Sequence, residues 1–394
     1  VLIRQQVASL KISIITPSFS HNVLARAYLL ASVLQRKYAV DIVGLRWTDT
    51  TWGPLRDMDN VTYKSIGVTK IPYWQLIKLM DEIDADVIYA SKPLISSFGI
   101  GILKKIITRK PLVLDIDDWE CGFISENYFK LSRMRRYKEL VYSAINFKDG
   151  SDFSRLASEK MISFADDITV SNQFLQKLYG GVIVPHCRDT NTINPEKFDK
   201  NLLREKYGIG QENKVVMFLG SPTVYKGVEI LIDAMALLPD TNLMLCIVGL
   251  DESYEYCRFL KQYAINKLNS RFKMFGLVPF NNVPELLAIT DIVVIPQKKC
   301  LATVGQLPAK VFDAMAMAKP IIATDVSDLP EILDGCGIII EPNNSEQLAD
   351  RIKYIFDHWE ESVQMGTKAR QKCIEKYNYD AMEKILIDIF SKYE

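Results

Sequence analysis

The feature that most constrains this chain is a rhythm of short apolar runs, each bounded by turn residues and separated from the next by a helix-patterned stretch. In the first half the runs are ISIIT (12–16), VDIVGL (40–45), DVIYA (86–90), LVLDI (112–116), DITV (167–170) and VIVP (182–185). In the second half they are VVMFLG (215–220), LMLCIVG (243–249), FKMFG (272–276), IVVIP (292–296), IIAT (321–324) and GIIIE (337–341). Short runs that are apolar without alternating are strands buried on both faces, and such strands alternating with helices build parallel sheets. The two series are parted by CRDTNTINPEKFDKNLLREKYGIGQENK (187–214), which is polar and carries no strand signal. A length of 394 residues suits two domains of ordinary size. The expected architecture is α/β, with two doubly wound, Rossmann-like domains facing across a cleft. The first spans 1–195 and the second 196–375; in the closing segment 376–394, YDAMEKILIDIFSKYE has the apolar spacing of an amphipathic helix. Open parallel sheets bind ligands beyond the carboxyl ends of their strands, so the cleft is the expected site.

Composition removes several classes of partner. The 48 Lys and Arg balance 48 Asp and Glu, so no overall charge directs the chain to nucleic acid. Seven scattered cysteines, without a CxxC or a Cys/His cluster, read as reduced thiols in a cytosol, and three histidines far apart give no metal site. The opening VLIRQQVASLK is too short an apolar run for a signal peptide, and no stretch is apolar for long enough to span a bilayer. The expectation is a cytoplasmic protein that would meet a membrane only from the side.

Five stretches carry residues suited to chemistry. In GQLPAKVFDAMAMAKPIIATDVSDLPE (305–331) a loop with both signs of charge leads into an Ala- and Met-rich helix, expected to begin at Pro308. Lys310 and Asp313 lie three apart and share a face of that helix. The amides of Thr303, Val304 and Gly305 and the helix N-terminus suit a phosphate. A carboxylate one turn in suits the two donors of a ribose diol. A plain capped helix with a surface Lys/Asp pair fits the same periodicity equally well. FLGSPTVYKGVEILIDAMALL (218–238) runs from strand through a turn with Lys226 and Gly227 into a helix, which is either an anion site or a loop lysine without a role. LDIDDWE (114–120) offers Asp115, Asp117, Asp118 and Glu120, as a DxD-type metal site or as an acid cluster closing a strand. In TPSFSHN (16–22), Ser18, Ser20, His21 and Asn22 line the turn after the first strand, as ligand contacts or as a solvated loop. YFKLSRMRRYKELVYSAINFK (128–148) mixes Lys130, Arg133, Arg135, Arg136 and Lys138 with apolar and aromatic residues. That suits an interfacial helix on an anionic membrane or a solvated helix; nucleic acid lacks any accompanying motif.

In combination these motifs resemble a family. The order strand, Gly220, five residues, Lys226, Gly227, helix, followed by FGLVPFNNVPELLAITDIVVIP (275–296) and LPAKVFDAMAMAKPIIATDVSDLPEIL (307–333), is similar to the nucleotide-binding half of retaining GT-B glycosyltransferases of the GT4 type. ISIITPSFS, PLVLDIDDWE, ADDITVSNQFLQKLYGG and VPHCRD resemble that family's acceptor-side domain and linker, so the likeness covers nearly the whole chain. It implies transfer of a sugar from a nucleoside diphosphate to a hydroxyl with retention and without a metal, and a last helix returning to the N-terminal domain.

Carried over by position, the resemblance implies that Lys226 binds the donor diphosphate and that Asp313 stands where the second glutamate of Glu-x7-Glu binds ribose. Gly305 falls where the first glutamate is expected, so the acid usually beside the donor sugar is absent. Ser221 replaces an arginine that often follows the strand glycine, and Lys310 is expected to supply the missing positive charge. The base is expected near Gly276, Leu277 and Val278. Asp117 aligns with the histidine that touches the donor sugar; Ser18, His21, Asn22 and Asp118 are the expected acceptor contacts. His186 stands where an asparagine is usual and reads as structural, with Asp189 capping the turn beside it. The implied function is a hexosyltransferase using a UDP-sugar on a glycan or lipid-linked glycan in polysaccharide or glycoconjugate assembly, with no cofactor beyond the nucleotide sugar. The missing glutamate keeps a second class open, a degenerate, non-catalytic binding partner of an active transferase. A dehydrogenase is disfavoured because no GxGxxG follows the first strand.

Overall fold

The computed structural model describes residues 10–68, 73–124, 131–145 and 150–394. The opening stretch 1–9 and Lys130, both used above, lie outside the described residues, as do 128–129 and 146–148 of the basic segment.

Seven parallel strands make the first sheet: β1 Lys11–Thr16, β2 Ala39–Arg46, β3 Thr62–Gly67, β4 Val87–Ser91, β5 Leu112–Ile116, β6 Asp167–Val170 and β7 Val182–Ile183. Their order is β3-β2-β1-β4-β5-β6-β7. β4 and β5 are buried at every position, as continuous apolar strands of a two-sided parallel sheet should be. β3 was not among the expected strands. Its sequence, TYKSIG, is largely exposed or half-buried; an edge strand has a neighbour on one side only and needs no apolar run to be held.

Six parallel strands make the second sheet: β8 Lys214–Leu219, β9 Leu243–Val248, β10 Phe272–Phe275, β11 Ile292–Ile295, β12 Ile321–Thr324 and β13 Ile338–Ile340. Their order is β10-β9-β8-β11-β12-β13. In each sheet the winding reverses once, between β1 and β4 in the first and between β8 and β11 in the second. The loops leaving those strands flank the switch-point crevice, where ligands bind in such sheets.

The chain divides into two compact units, Val1–Pro185 with Met382–Glu394, and His186–Ala381. Residues 186–195, expected in the first domain, therefore go with the second unit, and two arginines explain it. Arg188 is bonded to Asp313, and Arg370 donates to the Ile193 and Thr190 carbonyls at 3.0 and 3.2 Å. The last helix, Tyr379–Phe390, passes from the second unit to the first. There Phe390 is buried against Tyr89, ring centroids 5.2 Å apart, Lys392 and Tyr393 meet Asp167, and Glu394 pairs with Lys37.

The first unit also buries an ion pair no apolar pattern announces. Arg26, on the inner face of helix Leu24–Leu34, donates to both oxygens of Asp115 at 2.9 and 2.8 Å, and to the Val184 carbonyl at 2.7 Å. Both side chains are essentially inaccessible, and the carboxylate holds the guanidinium above its usual range against the cost of burial. Among the described residues no disulfide joins any of the seven cysteines, and no helix is long and apolar enough to cross a membrane.

Candidate functional site

The second unit has the better-built crevice, and its glycines show how tightly it is made. β8 ends at Leu219, and the amide of Gly220 directly after it extends the ladder to the Val248 carbonyl at 3.0 Å. Next to it Gly249, at φ +91°, lies so close that a Cβ would stand 2.8 Å from the Gly220 carbonyl carbon. Gly227, at φ +64°, would put a Cβ 2.1 Å from the Pro296 carbonyl oxygen at the end of β11. Only glycine combines that backbone with that approach. The Lys-Gly pair of the sequence is thus a seat: Gly227 presses the loop onto β11, and Lys226 precedes it on a single 3-10 turn, Val224–Lys226. The Lys226 ammonium folds back to the Ser221 carbonyl at 3.0 Å. Ser221 offers this loop a carbonyl in place of the expected arginine.

Lys310 reaches the same loop from the other side. Its helix spans Lys310–Ala316, starting two residues after Pro308; Pro308 instead accepts the Val311 amide through its carbonyl. Val311, Phe312, Ala314, Met315 and Ala316 of this helix are fully buried, which fixes the lysine in place. The Lys310 ammonium sits 3.8 Å from the centroid of Phe218. Burial and the nearby Lys226 charge push its amine well below the ordinary lysine range.

Asp313 does not form the surface pair with Lys310 that periodicity allowed. Arg188 donates to its two oxygens at 2.5 and 2.7 Å, and to the Ala309 carbonyl at 3.0 Å. Asp313, expected at the ribose, is held by Arg188 against the segment that follows β7, and Arg188 is a partner the sequence does not announce. His186 packs near Phe312, ring centroids 6.5 Å apart, and Asp189 accepts the Asn191 and Thr192 amides.

The loop after β11 corrects another expectation. The amides of Thr303 and Val304 do not stand free for a phosphate, because both donate to the Cys300 carbonyl in the short helix Leu301–Val304. The Thr303 hydroxyl is likewise spent, donating to the Lys298 carbonyl at 2.6 Å. Gly305 closes this turn at φ −99° and ψ 14°, a conformation open to any residue, so the backbone gives no reason for glycine there. After β10, Gly276 accepts the Gly249 amide at 3.1 Å. Leu277 beside it is largely exposed and Val278 packs on the core beneath. Lys226, Lys310, Leu277 and Val278 thus all lie beyond the carboxyl ends of one sheet.

In the first unit the expected acids meet a residue the sequence reading missed. Lys92 follows β4 in a left-handed conformation, φ +71°, and is buried. Its ammonium is 2.7 Å from Asp117, 2.6 Å from Asp118 and 3.6 Å from Glu120. A lysine thus stands where the DxD reading would put a cation, and Asp115 is taken by Arg26. Burial raises the Asp117 carboxyl to about 6, against the pull of Lys92. The signal was present in YASKPL: a lysine directly after a buried strand end. Across the switch point, Thr16 Oγ1 and Ser91 Oγ close β1 and β4 as buried hydroxyls without partners among the described residues. Ser18 is buried and joins His21 Nδ1 at 2.8 Å, while His21 and Asn22 are exposed.

Residues 199–372 match the family model for glycosyl transferases group 1. The chain is 26% identical over 299 residues to an uncharacterized glycosyltransferase of Methanocaldococcus jannaschii, covering 71% of this chain and 74% of that one. It is 25% identical to N-acetyl-alpha-D-glucosaminyl L-malate synthase of Bacillus anthracis over 62% of this chain and 58% of that one. Among solved structures, Anabaena Alr3699/HepE in complex with UDP and glucose aligns at a TM-score of 0.75 and 20% identity, over 97% of this chain and 99% of that one. The fold is that of the GT-B class.

Proposed function

We propose that this chain, whose residues 199–372 match the family model for glycosyl transferases group 1, is a glycosyltransferase that transfers a hexose from a UDP-sugar to a hydroxyl of a glycan or lipid-linked glycan, with retention. One observation carries the reading: two lysines, Lys226 and Lys310, reach one glycine-seated loop at the switch point of the second sheet. Two ammonium groups there suit a diphosphate, and the structurally similar HepE protein binds UDP. Leu277 and Val278 take the base.

The proposed mechanism is front-face. A donor phosphate oxygen takes the proton of the acceptor hydroxyl while Lys226 and Lys310 stabilise the leaving diphosphate. No protein nucleophile and no metal is required. Asp117 is assigned to the donor sugar, where a carboxylate suits developing oxocarbenium charge; Lys92 holds it. Ser18, His21, Asn22 and Asp118 are assigned to the acceptor. Helix Arg133–Ile145 exposes Met134, Tyr137 and Tyr142 beside Arg133, Arg135 and Lys138. That mixture supports a cytoplasmic enzyme touching an anionic membrane from the side, as a lipid-linked acceptor in polysaccharide assembly requires.

The test is a thermal-shift series with UDP, GDP, ADP and their sugars, on the wild type and on Lys226→Ala. Selective stabilisation by uridine nucleotides, lost in the variant, is the expected result. Gly305, with no acid in the family's position, favours one other reading, a binding partner without activity. Nucleotide binding without any hydrolysis of a UDP-sugar would establish that reading instead.

A further inference from the structure

The two lysines of the donor loop are not equivalent. Lys226 already donates to the Ser221 carbonyl. Lys310 is only 9% exposed, and its ammonium lies against Phe218 and beside Gly220, where a Cβ would stand 3.4 Å from Nζ. Among the described residues it has this ring face and no hydrogen-bond acceptor. Thr223 Oγ1, in the same loop, and Gln297 Nε2, immediately after β11, are also buried without partners among the described residues. The Lys310 amine at the start of its helix, and the amide and hydroxyl of the loops after β11 and β8, cost free energy while unsatisfied, until acceptors arrive. Phosphate oxygens are acceptors only.

The charges around Lys310 sharpen the point. From the loop it faces Lys226, of like sign; from its own helix it faces Asp313, whose carboxylate is engaged by Arg188. Lys298, after β11, pairs with Glu229 at the start of helix Val228–Leu237, and Lys299 beside it pairs with Asp325. Burial and Lys226 together outweigh Asp313 and drive the Lys310 amine well below lysine's ordinary 10.5.

We propose that donor binding in this unit is proton-coupled: Lys310 releases its proton to solvent in the empty site and takes one back from solvent as phosphate oxygens settle beside it. This rests on the donor reading above and deepens it, because the anion would create the charge that binds it. The loop would stay unstrained by repulsion between two ammoniums until a phosphate is present.

The experiment is calorimetric titration of the full chain with UDP, in pairs of buffers matched in pH but differing in ionisation enthalpy. It is repeated from neutral pH up to lysine's ordinary range. Uptake approaching about one proton, and an affinity falling about tenfold per pH unit where uptake is complete, are expected from linkage. Lys310→Arg keeps a fixed charge and should bind UDP without uptake. Lys310→Met, a second variant in case arginine does not fit, should bind weakly without uptake. UDP binding with no uptake at any pH overturns the proposal and leaves the donor reading standing; uptake that persists in both variants overturns the assignment to Lys310. Failure of UDP, GDP and ADP to bind at all overturns the donor reading and the proposal with it.

Discussion

Replacing Arg188 with methionine should cost the second unit much of its stability, and the structure sets the scale. The guanidinium makes two bonds to Asp313, one to Ala309 and one to Cys187. The side chains are only 18% and 13% exposed. Removing one member of such a pair leaves a buried carboxylate without its counter-ion, a loss of about 3–5 kcal/mol. For a unit of roughly 200 residues, each kcal/mol lowers the midpoint by about 2–4 °C, so a fall of about 6–20 °C is expected. Scanning calorimetry of the full chain reads this in the transition of His186–Ala381. The double variant Arg188→Met/Asp313→Leu removes both charges and should recover most of the loss, because the penalty lies in the orphaned charge rather than in the missing pair. A single variant melting within about 1 °C of wild type would refute the reasoning, since Asp313 would then be solvated and available to a ribose. Asp313→Asn offers a direct check of that second duty: weaker binding of UDP with unchanged binding of pyrophosphate would place it at the ribose.

Gly227→Ala should lower stability by more than 2 kcal/mol, combining a left-handed backbone with the Pro296 clash, and should abolish UDP binding by displacing Lys226; Gly276→Ala, with nothing within 4 Å of its Cβ, should stay within about 0.5 kcal/mol. Asp117 gives a signed pH test by urea midpoints. Its carboxyl is raised from 3.8 to about 6 in the folded state, so the folded chain holds a proton there that the unfolded chain releases. Stability contributed by this group is full below 3.8 and lost as pH rises through about 6, and Asp117→Asn should remove that slope. Lys92→Met should destabilise the first unit by about 3 kcal/mol at neutral pH, with the loss shrinking in acid as Asp117 protonates.

What the sequence determined by itself was the layering. Strands buried on both faces must be continuously apolar, so β1, β2, β4, β5, β8, β9, β11 and β12 were legible as runs, and the polar stretch at 187–214 lies just past the change of unit at Pro185. Lys226 and Gly227 were visible as a pair between strand and helix, which fits an anion site or an idle loop lysine alike; only the tertiary structure shows Gly227 pressed onto the Pro296 carbonyl. β3 was hidden, since an edge strand is held by backbone bonds to one neighbour and carries no such pattern. The tertiary structure alone decided the pairing of charges. Arg26 with Asp115, Arg188 with Asp313 and Lys92 with Asp117 and Asp118 are far apart in the chain. Periodicity reports which face of an element a residue lies on but not which distant residue meets it there. A carboxylate's role depends on that distant partner: Asp115 and Asp313 became anchors because an arginine arrived beside each, and Lys310 stayed unpaired because no acceptor did.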